Sequence, residues 1–142
     1  CDLRVAGESA KFAESFVKLG IIPGDGGAWL IQRIVGFSKA AELTLTGETI
    51  DAAEALKIGL VNQVVPDAEL LDAARKMALR IACNPSFAVR MAKRLIWDAQ
   101  SMSIGQVLEM SAAMQAVAHA TKDNAEAVNA FLEKRKPVFK GD

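Results

Sequence analysis

The sequence is poor in the residues on which many active sites are built. Its 142 residues hold one histidine, His119, and two cysteines, Cys1 and Cys83. A lone histidine inside a helical pattern leaves a Ser-His-Asp machine without support. His119 reads as a helix-surface or interface residue. Two cysteines without ligand spacing give no metal site. A reduced, cytoplasmic setting is expected, with buried or idle thiols and no Cys1–Cys83 disulfide. Charge of one sign is also missing: 17 Lys and Arg balance 17 Asp and Glu. That balance speaks against a nucleic-acid-binding protein, which usually carries a basic excess. No apolar run approaches the length of a membrane-spanning helix. There is no repeat, no low-complexity segment and no secretory pattern. There is no initiator methionine at Cys1, and the chain reads as if it begins inside an element. Part of the native protein is therefore expected to be missing.

What is present is apolar and glycine-punctuated. Apolar residues make up 51% and charged residues 24%, enough for one domain with a real core. The most informative stretch runs from Leu19 to Leu30. An apolar run stops at Pro23, turns through Gly24, Asp25, Gly26 and Gly27, and restarts on a helical face. The three glycines let the backbone take φ > 0 or approach a ligand closely. The N–H groups opening the next helix are expected to be unpaired donors with partial positive charge. Asp25 reads either as the N-cap of that helix or as a polar reacting group held against it.

Around this turn the chain divides in two. Residues 1–66 mix short elements: the end of a strand at Leu3–Ala6, a turn at Gly7–Ser9, and a strand at Lys11–Ala13. Residues 16–19 are ambiguous between strand and turn. A helix is predicted over Ala28–Val35, another from a Ser38 cap to Leu45, and a third over Thr49–Gly59 with an Asp51/Glu54 capping box. Val61–Val65 is a β-branched strand stopped by Pro66. Residues 67–142 read as four helices. Asp67 caps the first, Ser86 and Ser103 open the next two, and an Asp123/Glu126 capping box opens the last, through Arg135. Met110, Met114 and Val117 stripe the third, as core or interface methionines do.

The residues Cys1–Ala6, Lys11-Phe12, the Leu19–Gly27 turn, Leu45-Thr46-Gly47, Ala52–Ala55, Gly59-Leu60-Val61 and Ala130–Pro137 together resemble the crotonase superfamily, the enoyl-CoA hydratase and isomerase family. The match runs the whole length in order and covers the C-terminal half of a typical member. It implies an α/β fold, the remnant of a crotonase-like ββα spiral in residues 1–66, followed by an α-helical trimerisation region. It implies an acyl-CoA thioester substrate with no further cofactor, no metal, a homotrimer or hexamer, and an upstream half of the same protein. In the family two backbone N–H groups form an oxyanion hole that stabilises a thioester enolate; both come from segments upstream of Cys1.

The departures from the family are informative. Family hydratases hold one water between two glutamates, acting as base and acid. The first lies upstream of Cys1. The second aligns with Phe16, which cannot transfer a proton. Glu14 lies two residues away, on the same face if the segment is a strand, and reads as a solvated or structural charge. Asp25 is the better catalytic candidate. Ring-epoxide isomerases of this family resemble the chain in having phenylalanine at the Phe16 position and a single acid directly after the turn proline. Here Gly24 follows Pro23 and the acid comes one residue later. Burial beside Phe16 and Trp29 is expected to raise the Asp25 pKa. Phe16, Pro23, Gly24 and Trp29 are the expected substrate-binding neighbours. Phe131 and Lys134 align with family positions that touch the adenine and phosphate end of CoA, although a basic helix C-terminus has the same look.

Two readings follow. One is an enzyme that isomerises or hydrates an unsaturated acyl-CoA. The other is a family member that has lost its acid–base pair and binds CoA or serves as an assembly subunit. A stand-alone helical domain is disfavoured, because its opening strands would have exposed edges.

Overall fold

The computed structural model describes all of residues 1–142. The chain forms two compact units, Cys1–Lys76 and Met77–Asp142.

The first unit is built from short strands that find distant partners. β1 (Val5–Gly7) pairs in parallel with β4 (Gln63–Val65), with Ala6 opposite Val64. β2 (Lys11–Ala13) pairs antiparallel with β3 (Thr49–Asp51), with Phe12 opposite Ile50. β4 ends before Pro66, which cannot donate to a ladder. Residues Ser15–Leu19 form a 3-10 helix, which settles the ambiguity there against a strand. α1 (Gly27–Val35) and α2 (Phe37–Thr46) pack on one another. Their contact buries Ile31, Ala40 and Leu43, with Val35, Ile50 and Ile58 against them. A second small core joins Ala6, Ala55 and Val61. α3 (Ala52–Lys57) supplies Ala55, which is fully buried. Two of the three residues of this second core are alanines, so its elements lie close together.

Local capping partly departs from the sequence expectation. α2 starts at Phe37, so Ser38 lies inside it, and Gly36 is its cap residue. The Asp51 side chain does accept the Glu54 N–H at 2.8 Å. The helix nevertheless starts at Ala52, because Thr49–Asp51 is held in the β2 ladder. The Glu54 carboxylate turns instead to Lys57 and Lys39. Asp67 heads a 3-10 turn, Asp67–Glu69, rather than capping a long helix, and accepts the Ser9 N–H across 58 residues. α4 (Leu70–Ala82) follows, and the boundary between the units falls within it.

The second unit contains α5 (Ser86–Ala99), α6 (Ile104–His119) and α7 (Lys122–Leu132), with α5 against α6 and α6 against α7. A true capping box opens α6: Ser103 accepts the Gln106 N–H while the Gln106 side chain accepts the Ser103 N–H. The expected Asp123/Glu126 box does not form. Thr121 caps α7, and the buried Asp123 carboxylate accepts the N–H groups of Lys140 and Gly141 at 2.8 and 2.9 Å. Glu126 receives the Arg135 guanidinium and the Val138 N–H. The tail is thus strapped onto α7 through two carboxylates. Cys1 and Cys83 are both free and exposed, so neither is a buried thiol. His119 is exposed on α6, its ring nitrogen 3.1 Å from the Gln115 amide. No helix is long and apolar enough to cross a membrane.

Candidate active site

The glycine turn delivers the chain into α1. Of Gly24, Gly26 and Gly27, only Gly26 takes a positive φ, at 88°, a conformation that side chains resist. Gly26 is the N-cap residue. Asp25 stands one position earlier and accepts the Gly27 N–H through Oδ1 at 2.8 Å. The N–H groups of Trp29 and Leu30 go to the Gly26 carbonyl. The helix start is therefore largely satisfied from within, contrary to the expectation of unpaired donors.

A cavity of about 420 Å³ opens beside this turn in the first unit. Its apolar wall includes Phe12, Leu30, Ile31, Ile34, Leu43 and Ile50. Three charged residues also line it: Arg4, Lys11 and Glu14. The Arg4 guanidinium donates to the carbonyls of Leu60 and Cys1. Glu14 is the only acid in the lining. It heads the 3-10 helix without a side-chain cap bond. Its Oε2 is removed from solvent and has no hydrogen-bond partner. Burial, and after it the neighbouring Asp25 charge, hold the Glu14 carboxyl above its ordinary value.

Gly27 explains how the two acids meet. A Cβ built there would lie 2.9 Å from Asp25 Oδ1, 3.0 Å from Glu14 Oε1 and 3.2 Å from Glu14 Oε2. The two carboxylates therefore converge over one hydrogen-only position, within the range of about 6 Å over which charges shift one another's titration.

The residues expected at the site fare differently. Asp25 is an exposed residue and is not in the cavity wall, so the burial expected beside Phe16 and Trp29 is absent; the partly desolvated carboxyl belongs to Glu14. Phe16 is half-buried and lies outside the cavity lining. Pro23 is half-buried, and Gly24 is exposed with open space at its Cβ position. Trp29 is also outside the lining, with the Arg33 guanidinium stacked 3.8 Å from its ring. Phe131 is 82% exposed near the end of α7 in the second unit. Lys134 follows that helix with φ 55°, in the left-handed region where glycine is usual. The lining residues Leu30, Ile31 and Ile34 share the apolar face of the helix read from the sequence. Glu14 left only a weak trace: a carboxylate ahead of a segment whose conformation was ambiguous. No group of three or more His, Cys, Asp or Glu could hold a metal ion.

Known proteins resemble the chain along its whole length. The family model described as enoyl-CoA hydratase/isomerase matches residues 1–142. A crotonyl-CoA hydratase of Syntrophomonas wolfei is 41% identical over 139 residues, which are 98% of this chain and 54% of that protein. A 1,2-epoxyphenylacetyl-CoA isomerase of Escherichia coli is 38% identical over 140 residues, 99% of this chain and 53% of that one. The crystal structure of an enoyl-CoA hydratase from Bacillus anthracis superposes with a TM-score of 0.96 at 40% identity, covering 100% of this chain and 55% of the other. The chain spans about half the length of the curated relatives it matches. A match along every residue, with a shared backbone, places this chain in the enoyl-CoA hydratase/isomerase family.

Proposed function

We propose that the protein acts on an unsaturated acyl-CoA, isomerising or hydrating it through a thioester enolate, and that Asp25 belongs to its acid–base machinery. The observation that carries this reading is the convergence of a carboxylate pair with an apolar cavity at the head of α1. A cavity of this size suits a short acyl chain, and a carboxyl beside it that burial makes more basic suits proton transfer at carbon. The thioester oxygen would be held by backbone donors from the half of the family's length that precedes these residues. The CoA end would meet Phe131 and Lys134 of a neighbouring copy, the latter as a phosphate contact, and the assembly would be the family's trimer or hexamer.

The test is turnover by the intact protein. Crotonyl-CoA hydration and double-bond migration in a 3-enoyl-CoA are both followed by ultraviolet absorbance. At least one should proceed, and Asp25→Asn should slow it by about 10²-fold or more. A protein that binds acyl-CoA yet turns over neither substrate would instead be the binding or assembly subunit that Phe16, standing where hydratases carry a glutamate, also suits.

A further inference from the structure

The carboxylate pair carries a step beyond the reaction class, and this step rests on the reading above. Glu14 lines the cavity, whereas Asp25 faces solvent beside it. Glu14 Oε2 is buried without a partner. An unsatisfied carboxylate oxygen is costly, and it becomes satisfied when it takes up a proton or meets a group entering the cavity. Nothing local uses this side chain, since it makes no cap bond. The charged group facing it is Asp25 across Gly27, and Arg4 and Lys11 line the same cavity. The Arg4 guanidinium is turned to backbone carbonyls.

We infer that Glu14 and Asp25 act as one proton-carrying unit, with Glu14 as the catalytic residue meeting the acyl chain and Asp25 as the positioning residue on its solvent side. One carboxyl in the cavity suits migration of a double bond. The Glu14 carboxylate removes a proton from the carbon next to the double bond. The released electron pair moves into conjugation with the thioester, giving an enolate. The same proton then passes from Glu14 to the far carbon of the conjugated system, a C–H bond forms there, and the carboxylate is restored. No water or redox partner is consumed. The Asp25 charge makes Glu14 a stronger base and stabilises its protonated form between the two transfers.

The experiment is a double-mutant cycle on the intact protein with a 3-enoyl-CoA. Glu14→Gln and Asp25→Asn should each lower kcat by about 10²-fold or more. The double variant should fall no more than about threefold below the worse single one, as members of a unit do. Binding of butyryl-CoA, a saturated probe, should stay within twofold in each variant, which separates chemistry from folding. Asp25→Asn keeps an oxygen for the Gly27 N–H but removes the charge. The acid limb of its residual kcat/KM profile should therefore move to lower pH, which a purely structural role would not produce. If Glu14→Gln does not fold, Glu14→Asp supplies the test, since its shorter reach should still slow turnover at least tenfold. Near-normal turnover by Glu14→Gln or Glu14→Asp, with Asp25→Asn inactive, would overturn the pair and leave the proposed function standing. Losses that multiply in the double variant would also overturn it. A wild-type protein that binds butyryl-CoA but converts no unsaturated acyl-CoA would overturn both.

Discussion

The two units bury different things. In residues 1–76 the interior is apolar: Ile31, Ala40 and Leu43 in one cluster, Ala6, Ala55 and Val61 in another. In residues 77–142 only Asp123 and Ala130 are buried. Apolar residues of α5 and α6 remain open: Ile96 is 71% and Leu108 62% exposed, and on the α6 stripe Val117 is 52% exposed while Met110 and Met114 are half-buried. Helical periodicity thus specifies a face but not whether anything covers it. The first unit is held by hydrophobic contact, and the tail of the second by carboxylates that collect backbone N–H groups.

Four perturbations would sharpen or break that contrast. The largest effect is expected in the apolar unit. Leu43→Ala empties a site that is 4% exposed and should cost about 3 kcal/mol, read as a shift in the denaturant midpoint of the intact protein. A cost below about 1 kcal/mol would mean that the α1–α2 core is not the anchor. Next, Asp123→Ala removes the acceptor for two backbone N–H groups and should cost about 2 kcal/mol. Amide exchange at Lys140 and Gly141 should quicken while amides of α1 do not change.

The third perturbation is acid. Pairing with Arg135, then the Val138 N–H, lowers the Glu126 carboxyl to about 2. A carboxyl whose pKa is depressed by folding contributes stability above its unfolded value of about 4.5, and loses it as pH falls towards about 2. Protection of the Val138 amide should decline across that window. Glu126→Gln should abolish the decline, and an unchanged profile would break the strap interpretation. The smallest effect is at Lys134, whose φ of 55° carries a left-handed penalty of about 1 kcal/mol. Lys134→Gly should stabilise the protein by roughly that amount while weakening CoA binding. Stabilisation with unchanged affinity would remove Lys134 from the proposed phosphate contact.

What the sequence revealed tracks how local each feature is. The Asp51 cap on the Glu54 N–H, the stop of β4 at Pro66 and the helix that follows the glycine turn each depend on residues within a few positions, and each was legible, although Gly26 rather than Asp25 caps α1. The caps assigned to Asp67 and Asp123 were not correct, because partners far along the chain, Ser9 and the Lys140-Gly141 tail, take those carboxylates. Thr49–Asp51 looked helical until β2, nearly forty residues earlier, drew it into a ladder. The site divides in the same way. Asp25 was visible because it sits in an unusual turn. The carboxyl that faces the cavity, Glu14, depended on a 3-10 helix and on a missing Cβ at Gly27, neither of which a periodicity reveals.

The parallel pairing of β1 with β4 has a consequence for biosynthesis. Val5 meets Gln63, so a ribosome must add nearly sixty further residues after β1 before β4 can join it. At ordinary elongation rates that is a delay of roughly 3–12 s. During this interval the edge of β1 that β4 will take is open to adventitious pairing. Slowing translation between codons 7 and 63 should therefore lower the soluble yield more than slowing it after codon 65.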